Sequence, residues 1–345
     1  MVLFNHDVER PDPNFSYLTG LVGLYEQNFL IVKKKSLILI TNKLEYENVK
    51  EHRFSGMEIV SAKTGKEIAK YLQKHCKGKV VGVYGISLPY LWYSTIKKLS
   101  KAKSVIDATS DFYRARQIKD EEEIGNIRIA NRIVKAALKE ITRDFKEGIT
   151  EKELAARFDY IIMKHGADEP AFTSIVQFGK NSALPHHLPD DTRLTPNNIV
   201  LLDVGARYKN YCSDVTRTFI FNPDKGSEKY KKILEIQKVV NGSQQAALKV
   251  AKDGVYGRDI QTAAANHITK YANGKYKRYA FPSFHELGHA VGIELHEGFV
   301  VSTKTDTVMR EGMVASNEPG IYIVGFGGIR IEDDMLITKT GAKFL

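Results

Sequence analysis

Apolar positions along the chain fall into two rhythms. Short apolar runs at Asn28–Val32, Ser36–Ile40 and Lys79–Tyr84, rich in Ile, Leu and Val, predict strands. Between and after them, Thr64–His75 and Leu88–Leu99 carry apolar residues at helical spacing. This alternation predicts a small α/β unit in the first third of the chain. Beyond it the rhythm changes. Ile124, Ile127, Ala130, Val134, Leu138 and Ile141 recur with a helical period, preceded by Asp120 and Glu123 at the spacing of a capping box. Thr150 and Glu153 repeat that spacing before a second helix through Ile162, with Gly166 placed to close it. Strand-like runs follow at Ile199–Ala206 and Asp214–Phe221. Helical stretches return at Ser227–Lys252 and Asp259–Tyr271, then strands near Met313–Ala315, Ile321–Val324 and Ile329–Ile337. Helix, helix, strands, twice over, predicts two related halves, although no residue-level repeat is visible.

The 345 residues, 43% hydrophobic and 27% charged, suit a folded chain of two domains, placed at 1–115 and 116–345, and exclude disordered or collagenous classes. Net charge is +10, of which residues 1–115 hold +7 and residues 116–345 hold +3. Such a surplus raises the question of a polyanionic partner. Lys33-Lys34-Lys35, however, lies between two strand runs with no interleaved aromatics or glycine-rich loop, so it predicts a charged turn. Cys76 and Cys212 are far apart and form no metal-type spacing, which suits a reducing cytoplasm. Asp7, Glu9 and Arg10 interrupt the start of the chain, so no secretory signal is expected. No apolar run approaches the roughly 18–20 residues of a membrane span, so no membrane partner is expected either.

His285-Glu-Leu-Gly-His289 matches the zinc-protease pattern H-E-x-x-H, in which a helix brings two His onto one face. The longer form of that pattern needs a third His where Leu295 stands, and Pro282, Gly288 and Gly292 argue against a helix. The match is therefore read as accidental. A second constellation explains more. Asp203 ends an apolar run, Asp214 opens the next strand, and the polar Lys209-Asn210 between them suits a hairpin that sets the two carboxylates side by side. Glu318 and Glu332 also lie in or beside strand-like segments, where an unpaired carboxylate is expensive to bury. One acid alone reads as a turn residue or an ion-pair partner. Four acids with His289 would need several separate cations, whereas divalent ions neutralise the cluster together. Carboxylates and imidazole favour manganese or cobalt, with zinc or iron as alternatives, and their number suits two ions.

The ordered segments Ser182-Ala-Leu-Pro-His186, Leu202–Gly205, Ser213–Thr218, His285–His296, Asn317–Tyr322 and Gly328–Asp333 resemble the pita-bread metallopeptidases, the family of methionine aminopeptidase, aminopeptidase P and prolidase. Arg114–Ile124 and the α/β N-terminal region resemble the prolidase and aminopeptidase P branch. The resemblance implies an α+β chain with a C-terminal pita-bread catalytic domain of pseudo-twofold halves behind a smaller α/β domain. It implies Asp203, Asp214, His289, Glu318 and Glu332 as ligands of two divalent ions, with Asp214 and Glu332 bridging. Glu318 would also take up a proton, His296 would stabilise the oxyanion, and His186, rather than His187, would contact substrate or leaving group. His285 would line the proline-side pocket, and Arg330 would bind substrate or support an acid. Lys304 is a further candidate for reading a substrate carboxylate. The implied reaction is hydrolysis of the bond before proline by a water shared between the ions, by an Xaa-Pro dipeptidase given the compact chain. Aminopeptidase P and a non-catalytic binding protein are the alternatives. A homodimer without a nucleic-acid partner is expected. Ala315-Ser-Asn317 is more polar than the lead-in of relatives, but replaces no ligand.

Overall fold

The computed structural model describes residues 1–5, 12–24, 26–52 and 55–345, and divides into units 1–115 and 116–345. The charges that interrupt the start of the chain, Asp7, Glu9 and Arg10, lie outside the described residues. The first unit runs β1 (Val2–Asn5), α1 (Pro13–Thr19), β2 (Asn28–Lys33), β3 (Ser36–Thr41), α2 (Lys43–Val49), β4 (Met57–Ser61), α3 (Gly65–Cys76), β5 (Val80–Val83), α4 (Tyr90–Ser100), β6 (Ser104–Asp107) and α5 (Thr109–Arg116). Strands β1 to β4 form one sheet in sequence order, with only β3 and β4 parallel, and β5 pairs with β6 in parallel. Leu30 and Leu39 pack into one core while Phe29, Ile31, Ile38 and Ile40 pack into another. The sheet is thus covered on both faces, which explains its continuous apolar runs. Lys34 and Lys35 form the exposed turn between β2 and β3, as their charge predicts.

In the second unit a helix pair opens each half. Helices α6 (Glu121–Ile141) and α7 (Glu151–Lys164) precede β7 (Glu169–Pro170), β8 (Ile175–Phe178), β9 (Asn198–Val204), β10 (Ala206–Tyr208), β11 (Tyr211–Cys212) and β12 (Val215–Phe221). Helices α8 (Glu228–Val250) and α9 (Gly257–Lys270) precede β13 (Gly288–His289), β14 (Val300–Val301), β15 (Val314–Asn317), β16 (Gly320–Ile323), β17 (Gly327–Arg330), β18 (Asp333–Ile337) and β19 (Ala342–Phe344). The predicted capping boxes form at both Asp120–Glu123 and Thr150–Glu153. In the first half β9 pairs antiparallel with β8 and β12, and in the second β18 pairs antiparallel with β15 and β19. Two larger cores centre on the two halves, one around Phe158, Leu202 and Val204, the other around Ile236, Leu287 and Ile329 with Ile199 and Leu201 of β9, and a smaller cluster joins Ile124 and Cys212 to Val291 and Val314.

Two runs divide where sequence periodicity reads them as continuous. Ile199–Ala206 breaks at Gly205, where a Cβ would stand 2.2 Å from the Ser213 carbonyl oxygen, so the strand steps sideways at a close backbone approach. Ile329–Ile337 breaks at Ile331-Glu332, so that β17 joins β16 while β18 joins β15. His285–His289 forms no helix. Among the described residues no helix is long and apolar enough to cross a membrane.

Candidate metal centre

The register of β9 against β12 sets the first two acids. Asp203 lies opposite Thr216 and Val204 opposite Val215, so Asp214 falls diagonally from Asp203 with the same parity. Alternation along a strand then turns Asp203, Asp214 and Thr216 to one face. The second half supplies His289 from β13, Glu318 from the end of β15 and Glu332 from the break between β17 and β18. Gly288 permits this approach, because a Cβ there would stand 2.1 Å from the Ser316 carbonyl oxygen. The His289 backbone N–H donates to Ser316 Oγ at 3.0 Å, and that hydroxyl donates to Glu318 Oε1 at 3.1 Å. His289 Nδ1 faces the Ala290 carbonyl at 3.3 Å, which turns Nε2 toward Asp214 Oδ2 (3.4 Å) and Glu318 Oε1 (3.6 Å).

Asp214, His289 and Glu332 each offer a ligating atom within 4.8 Å of the others. Asp203 Oδ1 and Asp214 Oδ1 are buried without a hydrogen-bond partner, an expensive state for two neighbouring acids. Burial raises the Asp203 carboxyl, despite the Arg330 guanidinium beside it, and pushes Asp214 up to about 7. Burial, reinforced by Asp214 and Glu318, holds Glu332 well above the carboxylate range. For His289 burial opposes the charged ring, but Asp214 and Glu318 outweigh it and carry the imidazole to about 9. Hard oxygen donors, one oriented imidazole and orphaned buried oxygens together fit divalent cations.

Residues 125–339 match metallopeptidase family M24, and residues 3–118 match the creatinase/prolidase N-terminal domain. The chain belongs to family M24. It is 39% identical over 341 residues to an Xaa-Pro dipeptidase of Pyrococcus horikoshii, covering 97% of this chain and 90% of that one. Among solved structures, prolidase from Pyrococcus furiosus superposes with a TM-score of 0.85 at 34% identity, covering 99% of this chain and 94% of that one. An X-Pro aminopeptidase from Thermotoga maritima gives a TM-score of 0.87 at 28% identity, with the same shares covered.

The remaining residues singled out in the sequence take distinct places in this M24 unit. The His296 ring lies 3.9 Å from that of His289, and partial burial together with His289 lowers its pKa to about 4. His285 Nε2 meets Tyr322 Oη at 2.9 Å, and its Nδ1 lies 3.9 Å from Glu318 Oε2. Arg330 donates to Asp203, to Tyr322 Oη (3.0 Å) and to Thr216 Oγ1 (3.0 Å), so its fork is committed inside the cluster. His186 is exposed, within electrostatic reach of His285 and His296. His187 turns away to Glu151 and Asp190. Glu286, the would-be base of the H-E-x-x-H reading, pairs instead with Lys304 at 2.7 Å.

Sequence reasoning passed over the neutral and outer groups that hold these acids. Thr216 Oγ1 donates to Glu332 Oε2 at 2.5 Å. Asp334, buried and pushed up to about 7, accepts from Asn131 of α6 (2.7 Å) and from the Asp214 backbone N–H (3.1 Å). Gln244 of α8 donates to the Asn317 carbonyl and to Asp333 Oδ2, both at 3.2 Å. The first helix of each half thus sends one buried amide to the acid-bearing strands. Asn317 opens one motif segment and Asp334 directly follows another, and an acid beside Glu332-Asp333 in an apolar strand is the one signal the sequence holds for them.

Proposed function

We propose that this M24 chain is a metal-dependent exopeptidase that hydrolyses the bond between an N-terminal residue and proline, acting on Xaa-Pro dipeptides. The observation that carries this reading is the convergence of Asp203, Asp214, His289, Glu318 and Glu332 around orphaned, buried carboxylate oxygens. The names of the relatives supply the substrate class. In this reading Asp203, Asp214, His289, Glu318 and Glu332 would hold two divalent ions of the manganese or cobalt kind. When bound, such ions supply Lewis acidity, polarising the scissile carbonyl and lowering the pKa of the attacking water.

The chain's own groups do the rest. Glu318, oriented by the Ser316 hydroxyl, receives the proton released on attack. His296, neutral at physiological pH because its pKa lies near 4, donates its N–H to the oxygen on which negative charge develops. His186 reaches the substrate from the exposed side. His285, fixed by Tyr322 and by the Glu286 carbonyl at 2.7 Å, borders the proline side. Arg330 pairs with Asp203, opposing the effect of burial on that carboxyl, and acts on substrate through that acid. The two thiols are free and buried, in keeping with a cytoplasmic setting, and the expected assembly is a homodimer with no nucleic-acid partner.

The test is turnover of Ala-Pro and of Ala-Pro-Ala by chelated and manganese- or cobalt-loaded protein. Metal-dependent cleavage of the dipeptide alone is expected. Cleavage of the tripeptide would assign the aminopeptidase reading that the Thermotoga likeness favours. No metal-dependent cleavage of either would overturn the proposal.

A further inference from the structure

His186 sits on an irregular segment, Leu184–Pro189, beyond the short 3-10 turn Gly179–Ala183, and no regular element fixes its backbone. The segment is nevertheless held from beneath at two points. Gln177, fully buried on β8, donates one amide group to two carbonyls, Leu184 O at 2.8 Å and His187 O at 2.9 Å. Those carbonyls bracket Pro185-His186. The Gln177 Oε1 atom is itself buried with no partner, a cost that an apolar residue would avoid, so the amide is kept for its donor side.

The second hold is Glu151, the first residue of α7, whose side chain is fully buried. Its Oε1 accepts from the Phe178 backbone N–H (2.6 Å) and Asn181 Nδ2 (3.0 Å), and its Oε2 accepts from the Asp190 backbone N–H (3.0 Å). His187 Nε2 lies 3.5 Å from Glu151 Oε2 and 3.4 Å from Asp190 Oδ2. Glu151, His187 and Asp190 have the composition of a metal site, but three N–H donors already occupy the Glu151 carboxylate. Glu151 anchors the segment through the Asp190 backbone, while His187 Nε2 makes no hydrogen bond to either acid. His186, between the points where Gln177 and Glu151 hold the backbone, stays exposed within electrostatic reach of His285 and His296.

We infer that Gln177 and Glu151 are positioning residues for His186, setting its backbone so that the imidazole meets the substrate. The inference rests on the role proposed for His186. A hydrogen-bonded clasp on both sides of a reacting group matters because a displacement of about 1 Å costs up to about 100-fold in rate.

The test is a double-variant cycle on the manganese-loaded full chain with Ala-Pro as substrate, using Gln177→Leu, His186→Ala and the two together. Gln177→Leu is expected to lower kcat about 10- to 100-fold with KM within about twofold, at unchanged ion content per chain. The double variant is expected to match His186→Ala within about twofold, because the clasp acts only through that ring. Gln177→Met, of similar length and without a donor, replaces the leucine variant if that one fails to fold. A normal Gln177→Leu beside an impaired His186→Ala would overturn the clasp alone, as would losses that multiply in the double variant. A near-normal His186→Ala would overturn the role of His186 itself, and the clasp with it.

Discussion

Arg330 carries a full charge in a place where water cannot serve it. Its side chain is only 3% exposed, and its three donor contacts go to Asp203, Tyr322 and Thr216. Truncating one partner of such a buried pair typically costs about 3–5 kcal/mol, because the other charge is left uncompensated. Arg330→Met should therefore destabilise the chelated protein by about that amount in denaturant melts, and by less once divalent ions neutralise Asp203. Arg330→Lys should recover only part of the loss, since an ammonium cannot present three donors in a fixed fork. Equal midpoints for wild type and Arg330→Met would mean that the guanidinium does not neutralise Asp203. At this scale the acids and His289 were legible, because carboxylates inside apolar runs need an explanation. Thr216, Tyr322, Ser316 and Gln177 were not. Hydroxyls and amides are common in any sequence, and only their placement shows which one holds a carboxylate or a carbonyl.

The elements divide the same way. Helices α6 and α7 were readable because the apolar period and the cap sit in one short window of sequence. Asp120 accepts from the N–H groups of Glu122 and Glu123, while the Glu123 carboxylate accepts from Asp120 N–H and from Tyr211 Oη at 2.9 Å. Asp120→Ala should cost about 1 kcal/mol and lower the melting temperature by about 2–4 °C. Thermal unfolding followed by circular dichroism checks it, and a change below 1 °C, roughly the scatter of such melts, would mean that the cap is redundant with the Tyr211 bond. The strands were harder. The breaks at Gly205 and at Ile331-Glu332 come with contacts to residues remote in sequence, Phe172 against Gly205 and the Thr216 carbonyl that accepts from the Glu332 N–H, and period-two patterning holds no trace of a distant partner. His285–His289 teaches the converse. A five-residue motif carries chemistry only on the element it presupposes, and Gly288 here serves a close approach to Ser316 between strands rather than a helix turn.

For the molecule as a whole the uneven charge and the acid cluster answer different questions. The surplus of +10 belongs mostly to residues 1–115, whereas the cluster concentrates four carboxylates inside a unit of near-balanced charge. That concentration ties stability to pH and to cations. In the chelated protein Asp214 titrates near 7, and Asp203 and Glu332 are also raised, against about 4 in the unfolded chain. Between those values the folded state holds more protons than the unfolded one, so these groups make stability fall as pH rises across the window. His289, raised to about 9, adds stability below its unfolded value near 6.5 and loses it as pH climbs toward 9, which is the same direction. Divalent cations need the ionised carboxylates and a neutral imidazole, so binding them must release protons. The melting temperature of chelated protein should thus decline from about pH 6.5, above the range in which the lowered His296 opposes the trend, to about pH 8, and the increase given by saturating manganese should grow over the same range. Differential scanning calorimetry with and without manganese reads both curves. Parallel curves, with a manganese increment independent of pH, would mean that the ions do not bind at these raised carboxylates.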